Sequence, residues 1–266
     1  MGAARSGGTL VYNMLCNSPD LNPALAENHF APVIAQLYEL SLSRTGIEGN
    51  HFFDGREDMR SFYAGLVAGF LEKQSARYAP AKLIAIKTLA LGATMHVVHE
   101  LLPAARFVVT VRDPRDIAAS MVKVGKRQEE QGGTSQFPRD MNNLARQILM
   151  SYRVVLSNEY VSGRLGTLDR ATQVVRYEDM VADPSGILSG LGRWLGVEIP
   201  ECSGTPFARS RKSYRTEEER KVPFASEYWG QAVTDRTIGS YQDILTADET
   251  ARISQLCRPI MERYGY

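Results

Sequence analysis

Cysteine is scarce in this sequence: Cys16, Cys202 and Cys257 are the only three in 266 residues. They are too few and too scattered for a disulfide framework or a thiolate metal site, and they point to a reducing compartment, the cytoplasm. Histidine is nearly as sparse, and His29, His51, His96 and His99 show no clustering that would hold a metal, so none is expected. Net charge is almost absent at +1, which removes the global field that would favour nucleic acid or an anionic membrane. Any anion site must therefore be a local constellation. No apolar run reaches the length of a membrane span, and no secretory signal is read at the start. What is present, 44% hydrophobic and 23% charged residues, is the ordinary balance of a globular protein with a real core. The length suggests one α/β domain over residues 1–266, with insertions.

Three short runs rich in Val and Ile read as strands: 82–88 (KLIAIKT), 106–112 (RFVVTVR) and 172–177 (TQVVRY). Each is nearly continuous in apolar character, as a parallel strand covered on both faces should be. Helical patterns follow them at 115–126 and 185–195. The expected fold is α/β, an open parallel sheet with helices on both faces. Asp113-Pro114 and Asp183-Pro184 each look like an N-cap followed by proline in the first helical position. Thr246 with Glu249 fits a capping box, opening a last helix that runs to about Tyr264. Residues 128–139 are polar and glycine-containing and read as a mobile loop, and 203–235 as a second long irregular region. The sequence opens directly on a glycine-rich loop. Such loops are launched from a strand, so the expectation is a longer protein or a missing first strand.

That loop, 2–9, reads G-A-A-R-S-G-G-T. Its spacing is that of a phosphate-binding P-loop, G-x-x-x-x-G-K-[ST], with Gly8 where lysine should stand. Glycines let backbone N–H groups curl around a phosphate, and the helix 10–16 points its positive end at it. The missing lysine is the group that neutralises β- and γ-phosphates in ATP enzymes. Arg5 is the one basic side chain in the loop, which suggests a different anion. A second constellation is R-D-P-R-D-I-A-A-S at 112–120. Arg112 ends a strand and Ser120 sits about two turns into the helix, making a second cradle separate from the first. Asp113 and Pro114 are explained by capping and Asp116 by the helix dipole. Lys87 closes the strand 82–88, and Tyr177 closes the third strand. Each alone has an ordinary structural explanation. Together, Arg5, Lys87, Arg112 and Tyr177 fall at the carboxyl ends of strands, or where one should be, and ligands bind on that rim of an open α/β sheet.

These segments resemble the PAPS-dependent sulfotransferase family, and its tyrosylprotein and bacterial members more than its cytosolic steroid and phenol members. A-R-S-G-G-T-L at 4–10 resembles the family's 5′-phosphosulfate loop, P-R-S-G-T-T-L, and 112–120 resembles its 3′-phosphate motif with the Arg-to-Ser spacing intact. V-R-Y-E-D-M at 175–180 and E-R-Y-G-Y at 262–266 are also similar. The resemblance implies a P-loop-type fold and 3′-phosphoadenosine 5′-phosphosulfate (PAPS) as donor co-substrate. It implies that Arg5, Ser6, Gly7, Gly8 and Thr9 hold the 5′-phosphosulfate, Arg112 and Ser120 the 3′-phosphate, and that Tyr177 touches the nucleotide. Lys87 would stabilise charge as the phosphate–sulfate bond breaks. Gly8 departs from the usual threonine, Ala4 from the usual proline, and Leu89 stands where relatives carry proline or a catalytic histidine. A base is still needed for the acceptor's proton. Glu27, in A-E-N-H-F, resembles the catalytic glutamate of the tyrosylprotein branch, with His29 as runner-up.

Two rival readings stand beside this one. A P-loop small-molecule kinase would need the lysine that Gly8 replaces and an acid for Mg²⁺ at a strand end. A catalytically inactive nucleotide-binding module would bind without turnover. The acceptor, whether small molecule, glycan or peptide, should be gripped by residues 26–40, by 128–139, and by a basic-aromatic stretch containing Arg209, Arg211, Lys212, Tyr228 and Trp229. The three basic residues there would close over the 3′-phosphate, meet an acidic acceptor, or simply form a solvated loop.

Overall fold

The computed structural model describes residues 2–44, 52–200, 209, 223–224 and 232–266. His51, Cys202, Arg211, Lys212, Tyr228 and Trp229 lie outside the described residues. Two of the three expected strands form: β1 (Phe107–Val111) and β2 (Thr172–Arg176) pair in parallel, from Phe107 opposite Thr172 to Val111 opposite Arg176. Gly2 makes an isolated parallel bridge to Thr110. Because strand side chains alternate, the continuous apolar run of β1 feeds two cores. Phe107, Val109 and Val111 pack into the larger one, and Val108 faces the smaller one together with Val175 of β2. Helices cover both faces, so the α/β layering read from the sequence is what the chain adopts.

The helices of the first half are α1 (Gly8–Leu15), α2 (Phe30–Arg44), α3 (Arg56–Arg77) and α4 (Leu91–Leu101). After β1 come α5 (Pro114–Glu130), α6 (Met141–Ser151) and α7 (Asn158–Val161). After β2 come α8 (Tyr177–Ala182), α9 (Pro184–Leu195), α10 (Ala247–Leu256) and α11 (Arg258–Tyr264). The two Asp-Pro starts behave as capping chemistry requires: Asp113 accepts from Arg115 N at 2.8 Å and Asp183 from Gly186 N at 2.9 Å. Thr246 and Glu249 close the capping box at α10. Among the described residues no helix is long and apolar enough to cross a membrane.

Several expectations need correction. Residues 82–88 form no regular strand. Their contacts go instead to the turn at 20–28: Lys82 N donates to Asp20 O (2.8 Å), the Asn22 amide clamps Ala85 at both N and O, and Asn28 N donates to Lys87 O (3.0 Å). Leu83 makes one isolated bridge, to Leu21. A cavity of about 270 Å³ is lined by both this segment and β1, and among the described residues the segment makes no ladder. The strand 172–177 ends one residue early, and Tyr177 opens α8. The last helix breaks at Cys257, because Pro259 has no N–H to give and its ring opposes the preceding turn, so a second helix starts there. The loop after α5 is pinned rather than loose. Phe137 is buried, Gln136 N donates to the Gln128 side chain, and a Cβ on Gly125 would lie 2.3 Å from Phe137 O. Cys16 and Cys257 are free and buried, and desolvation pushes both thiols up to about 12.

Candidate active site

The loop 2–9 folds as a ring of main-chain amides. Arg5 sits at φ 70° and Gly7 at φ 89°, the left-handed region, and Ser6 N closes the turn onto Ala3 O at 3.1 Å. Alternating hands of this kind turn successive N–H groups inward, a concavity suited to an anion. Helix α1 starts at Gly8 with no side-chain cap and no acid in its first turn, so its positive end is open. Gly7 is also sterically required: a Cβ there would lie 2.4 Å from the Tyr177 ring. At Gly8 a Cβ would stand 3.2 Å from Thr110 Oγ1, which leaves little room for the threonine common in related loops. The Ser6 hydroxyl faces away from the ring, sharing a 2.8 Å hydrogen bond with Thr110 Oγ1.

The second cradle is buried. Arg112 follows β1, is 6% exposed, and lies over the Tyr177 ring at 4.5 Å. Its Nη1 donates to Arg5 O at 3.3 Å and its Nη2 to Thr237 O, while its Nε is buried with no hydrogen-bond partner among the described residues. A buried donor left unmet is costly, and such a group is worth an explanation. Tyr177 Oη meets the Thr237 hydroxyl at 2.9 Å. The two cradles are not separate, as the sequence suggested. Arg5 Nε donates to Ser120 Oγ at 3.0 Å, so the basic side chain of one cradle is bonded to the hydroxyl of the other.

Lys87, Glu27 and His29 form a third group. Lys87 Nζ is ion-paired with Glu27 Oε1, and His29 Nε2 stands 3.9 Å from Glu27 Oε2. His29 Nδ1 meets the Thr88 hydroxyl at 2.7 Å, which fixes the ring. The backbone bond from Asn28 N to Lys87 O holds the two segments together. Lys87 and Thr88 line the same cavity as Gly2, Ser6 and Gly8, so the Lys87 group and the loop share a wall.

Sequence reasoning missed four participants. Asp116 does more than favour the helix dipole: it is 1% exposed and accepts from Gly239 N (2.9 Å), Tyr241 N (3.0 Å) and Ser240 Oγ (3.3 Å), with Arg112 at 3.7 Å. Thr237, Thr88 and Thr110 are the others. Of these, only Thr88 had a sequence signal, its place next to Lys87. Arg209 is drawn elsewhere than expected. It donates to the carbonyls of Cys16, Ser18 and Leu21, tying off the end of α1, where a cation complements the dipole. Glu178 accepts from Asp113 N (3.1 Å) and from Tyr266 Oη (2.9 Å), docking the end of the chain beside the site. His99 is buried against Thr167 and Phe107, and burial lowers its basicity; His96 pairs with Glu39 at 3.7 Å.

The chain is similar to several known proteins. Over 185 residues the chain is 26% identical to the omega-hydroxy-beta-dihydromenaquinone-9 sulfotransferase Stf3 of Mycobacterium bovis, and equally to that of Mycobacterium tuberculosis. The match takes in 70% of this chain and 42% of those relatives, so the chain spans less than half of their length. Among solved structures, the sulfotransferase domain of the curacin biosynthetic pathway superposes with a TM-score of 0.59 at 17% identity, over 96% of this chain and 94% of that one. The sulfotransferase domain of the Synechococcus PCC 7002 olefin synthase gives 0.57 at 21% identity, over 100% and 92%. At such identities these likenesses speak for the fold, that of the P-loop type. The sequence model of the sulfotransferase family matches residues 1–201, well over half of the sequence, and the chain belongs to that family.

Proposed function

We propose that the protein transfers a sulfuryl group from PAPS to a hydroxyl or similar nucleophile on an acceptor, releasing 3′-phosphoadenosine 5′-phosphate (PAP). The observation that carries the reading is the pair of joined anion cradles: Arg5 bonded to Ser120, and Arg112 buried with its Nε unmet. A nucleotide with phosphates on both the 3′ and 5′ positions of one ribose fits two cradles that share a side chain. The ring of amides at Arg5, Ser6, Gly7, Gly8 and Thr9 would hold the 5′ end, Arg112 and Ser120 the 3′-phosphate, and Tyr177 would form the wall between them.

In the reaction the acceptor oxygen forms a bond to sulfur as the bond from sulfur to the 5′-phosphate oxygen breaks, in line. Glu27 takes the acceptor's proton. Lys87 turns from Glu27 to the departing phosphate oxygen, which frees the carboxylate as it stabilises the charge that develops. His29, oriented by Thr88, stands behind Glu27 and receives the proton from it or in its place. A small-molecule acceptor is in keeping with Stf3, named for a hydroxylated menaquinone derivative. A cytoplasmic location belongs to the same proposal, since Cys16 and Cys257 are free thiols.

The test is calorimetric titration of the protein with PAP beside AMP, ADP and ATP with Mg²⁺. Tight binding of PAP alone is expected. Preference for ATP with Mg²⁺ would overturn the proposal in favour of a kinase, and a nucleotide that binds with no sulfuryl transfer to any acceptor would leave an inactive binding module.

A further inference from the structure

Helix α2 begins three residues after Glu27 and is apolar on two faces. Ile34, Ala35 and Tyr38 turn into the core. Phe30, Val33, Leu37 and Leu40, spaced three and four apart, form a second stripe, with Val33 at 47% and Leu37 at 45% exposure. Helix α3 carries a matching exposed pair, Phe62 and Leu66, in line with Phe70. Phe70 stacks on Phe30 at 4.7 Å, and Ser41 bonds Tyr63 at 2.7 Å. These two contacts fix an antiparallel register, which brings Leu66 level with Leu37 and Phe62 level with Leu40. Single exposed leucines are ordinary, but a continuous seam along two helices marks a binding surface.

We infer that this seam is the acceptor's track: the protein sulfates the terminal hydroxyl of a molecule with a long linear apolar tail, and the tail lies between α2 and α3. The inference rests on the reading of Glu27 and Lys87 given above. Continuity argues for this occupant. The seam starts at Phe30, beside the carboxylate that would take the acceptor's proton, and follows α2 away from it for about 15 Å, ten residues at 1.5 Å each. Charge argues against a membrane surface. The described charged groups along α2 and α3 are of mixed sign: Arg56 pairs with Glu100 and Arg60 with Glu57, Asp58 and Glu72 are acidic, Lys73 and Arg77 are basic, and Glu39 stands beside the stripe. An anionic bilayer is drawn by clustered lysine and arginine, which this rim lacks among the described residues.

The experiment measures kcat/KM with PAPS and a series of primary n-alkanols from butanol to dodecanol. Each added methylene is expected to raise kcat/KM about twofold, less than full burial would give because one side of the tail stays wet, with a plateau when the tail reaches the end of the seam. Leu37→Asp, with Leu37→Ser as a milder variant, is expected to cut the dodecanol-to-butanol ratio at least about tenfold. PAP binding and the melting temperature serve as controls. Turnover that ignores chain length would overturn the inference, as would Leu37→Asp lowering both alcohols equally. So would a dimer in sedimentation that Leu37→Asp dissolves, or acceptor-independent binding to lipid vesicles. A protein that binds PAP and turns over no alkanol loses the track but keeps its donor site, whereas one that binds no PAP loses the proposed function itself.

Discussion

Replacing Asp116 tests how the proposed nucleotide cradle is built. Its carboxylate holds the turn 239–241 through three hydrogen bonds and balances the Arg112 guanidinium at 3.7 Å, almost wholly out of water. Asp116→Ala leaves two backbone donors unmet and a buried cation without its neighbour. Hydrogen bonds to a charged group contribute about 1.5–3 kcal/mol each, and stranding one partner of a buried ion pair costs about 3–5 kcal/mol. These losses overlap, so the expected total is about 4 kcal/mol. With an unfolding entropy of roughly 2.1 cal/mol/K per residue over 266 residues, that lowers the melting temperature by about 7 °C. Asp116→Asn keeps one acceptor and should lose about half as much. A second effect follows from position. The same turn presents Thr237, whose carbonyl meets Arg112 and whose hydroxyl meets Tyr177. Calorimetry should therefore show PAP affinity falling by about tenfold or more in Asp116→Asn, and AMP affinity much less. A melting temperature within about 2 °C of wild type would refute the energetic argument. Intact preference for PAP over AMP would refute the link from Asp116 through Thr237 to the 3′ cradle.

Arg112→Ala is expected to weaken PAP by about a hundredfold while barely changing AMP, read in the same titration; equal weakening of both would remove Arg112 from the 3′-phosphate. Glu27→Gln should cut turnover by a factor on the order of 100 with PAP binding retained, and unchanged turnover would move the base to His29. The hydrogen bonds from Arg139 hold the Glu249 carboxyl down from 4.5 to about 2, with the Thr246 N–H adding to the effect. A carboxyl depressed on folding contributes stability above its unfolded value, and that contribution is lost as pH falls from 4.5 towards 2. Glu249→Gln should therefore flatten the decline in stability seen by urea unfolding between about pH 6 and about pH 3, and an unchanged decline would assign acid sensitivity to other groups.

Much of the fold was legible because it follows from local chemistry. Asp113, Asp183 and Thr246 cap helices through bonds that span two or three residues, so residue type and order suffice to see them. The strand β1 was legible because burial on both faces leaves a nearly unbroken apolar run, and β2, with Gln173 and Val174 exposed, was legible from its paired β-branched valines. Residues 82–88 carry the same pattern and form no ladder, since a ladder needs a neighbour and the pattern says nothing of who that is. Asp116 was misread for a similar reason. Its place in the first turn of α5 gives a sufficient local account, and its three partners lie more than a hundred residues away. The candidate site residues could be proposed because the two phosphate motifs have distinctive spacing. That Arg5 reaches Ser120, or that Glu27 reaches Lys87, depends on how the turn at 20–28 and helix α5 pack, and no local rule encodes it.

The bond from Arg5 to Ser120 makes the two cradles thermodynamically interdependent. An anion in the loop that draws the Arg5 guanidinium toward itself competes with the bonds from Arg5 Nε to Ser120 and from Nη1 to Phe224 O, and an anion at Ser120 that keeps the side chain there alters what the loop can offer. Whatever factor one phosphate imposes on the affinity for the other must be returned in full, because coupling between two sites on one macromolecule is reciprocal. On the proposed function, the two ends of a nucleotide would be read as a unit, and a preference for a doubly phosphorylated ribose would be a property of the pair rather than a sum of its halves.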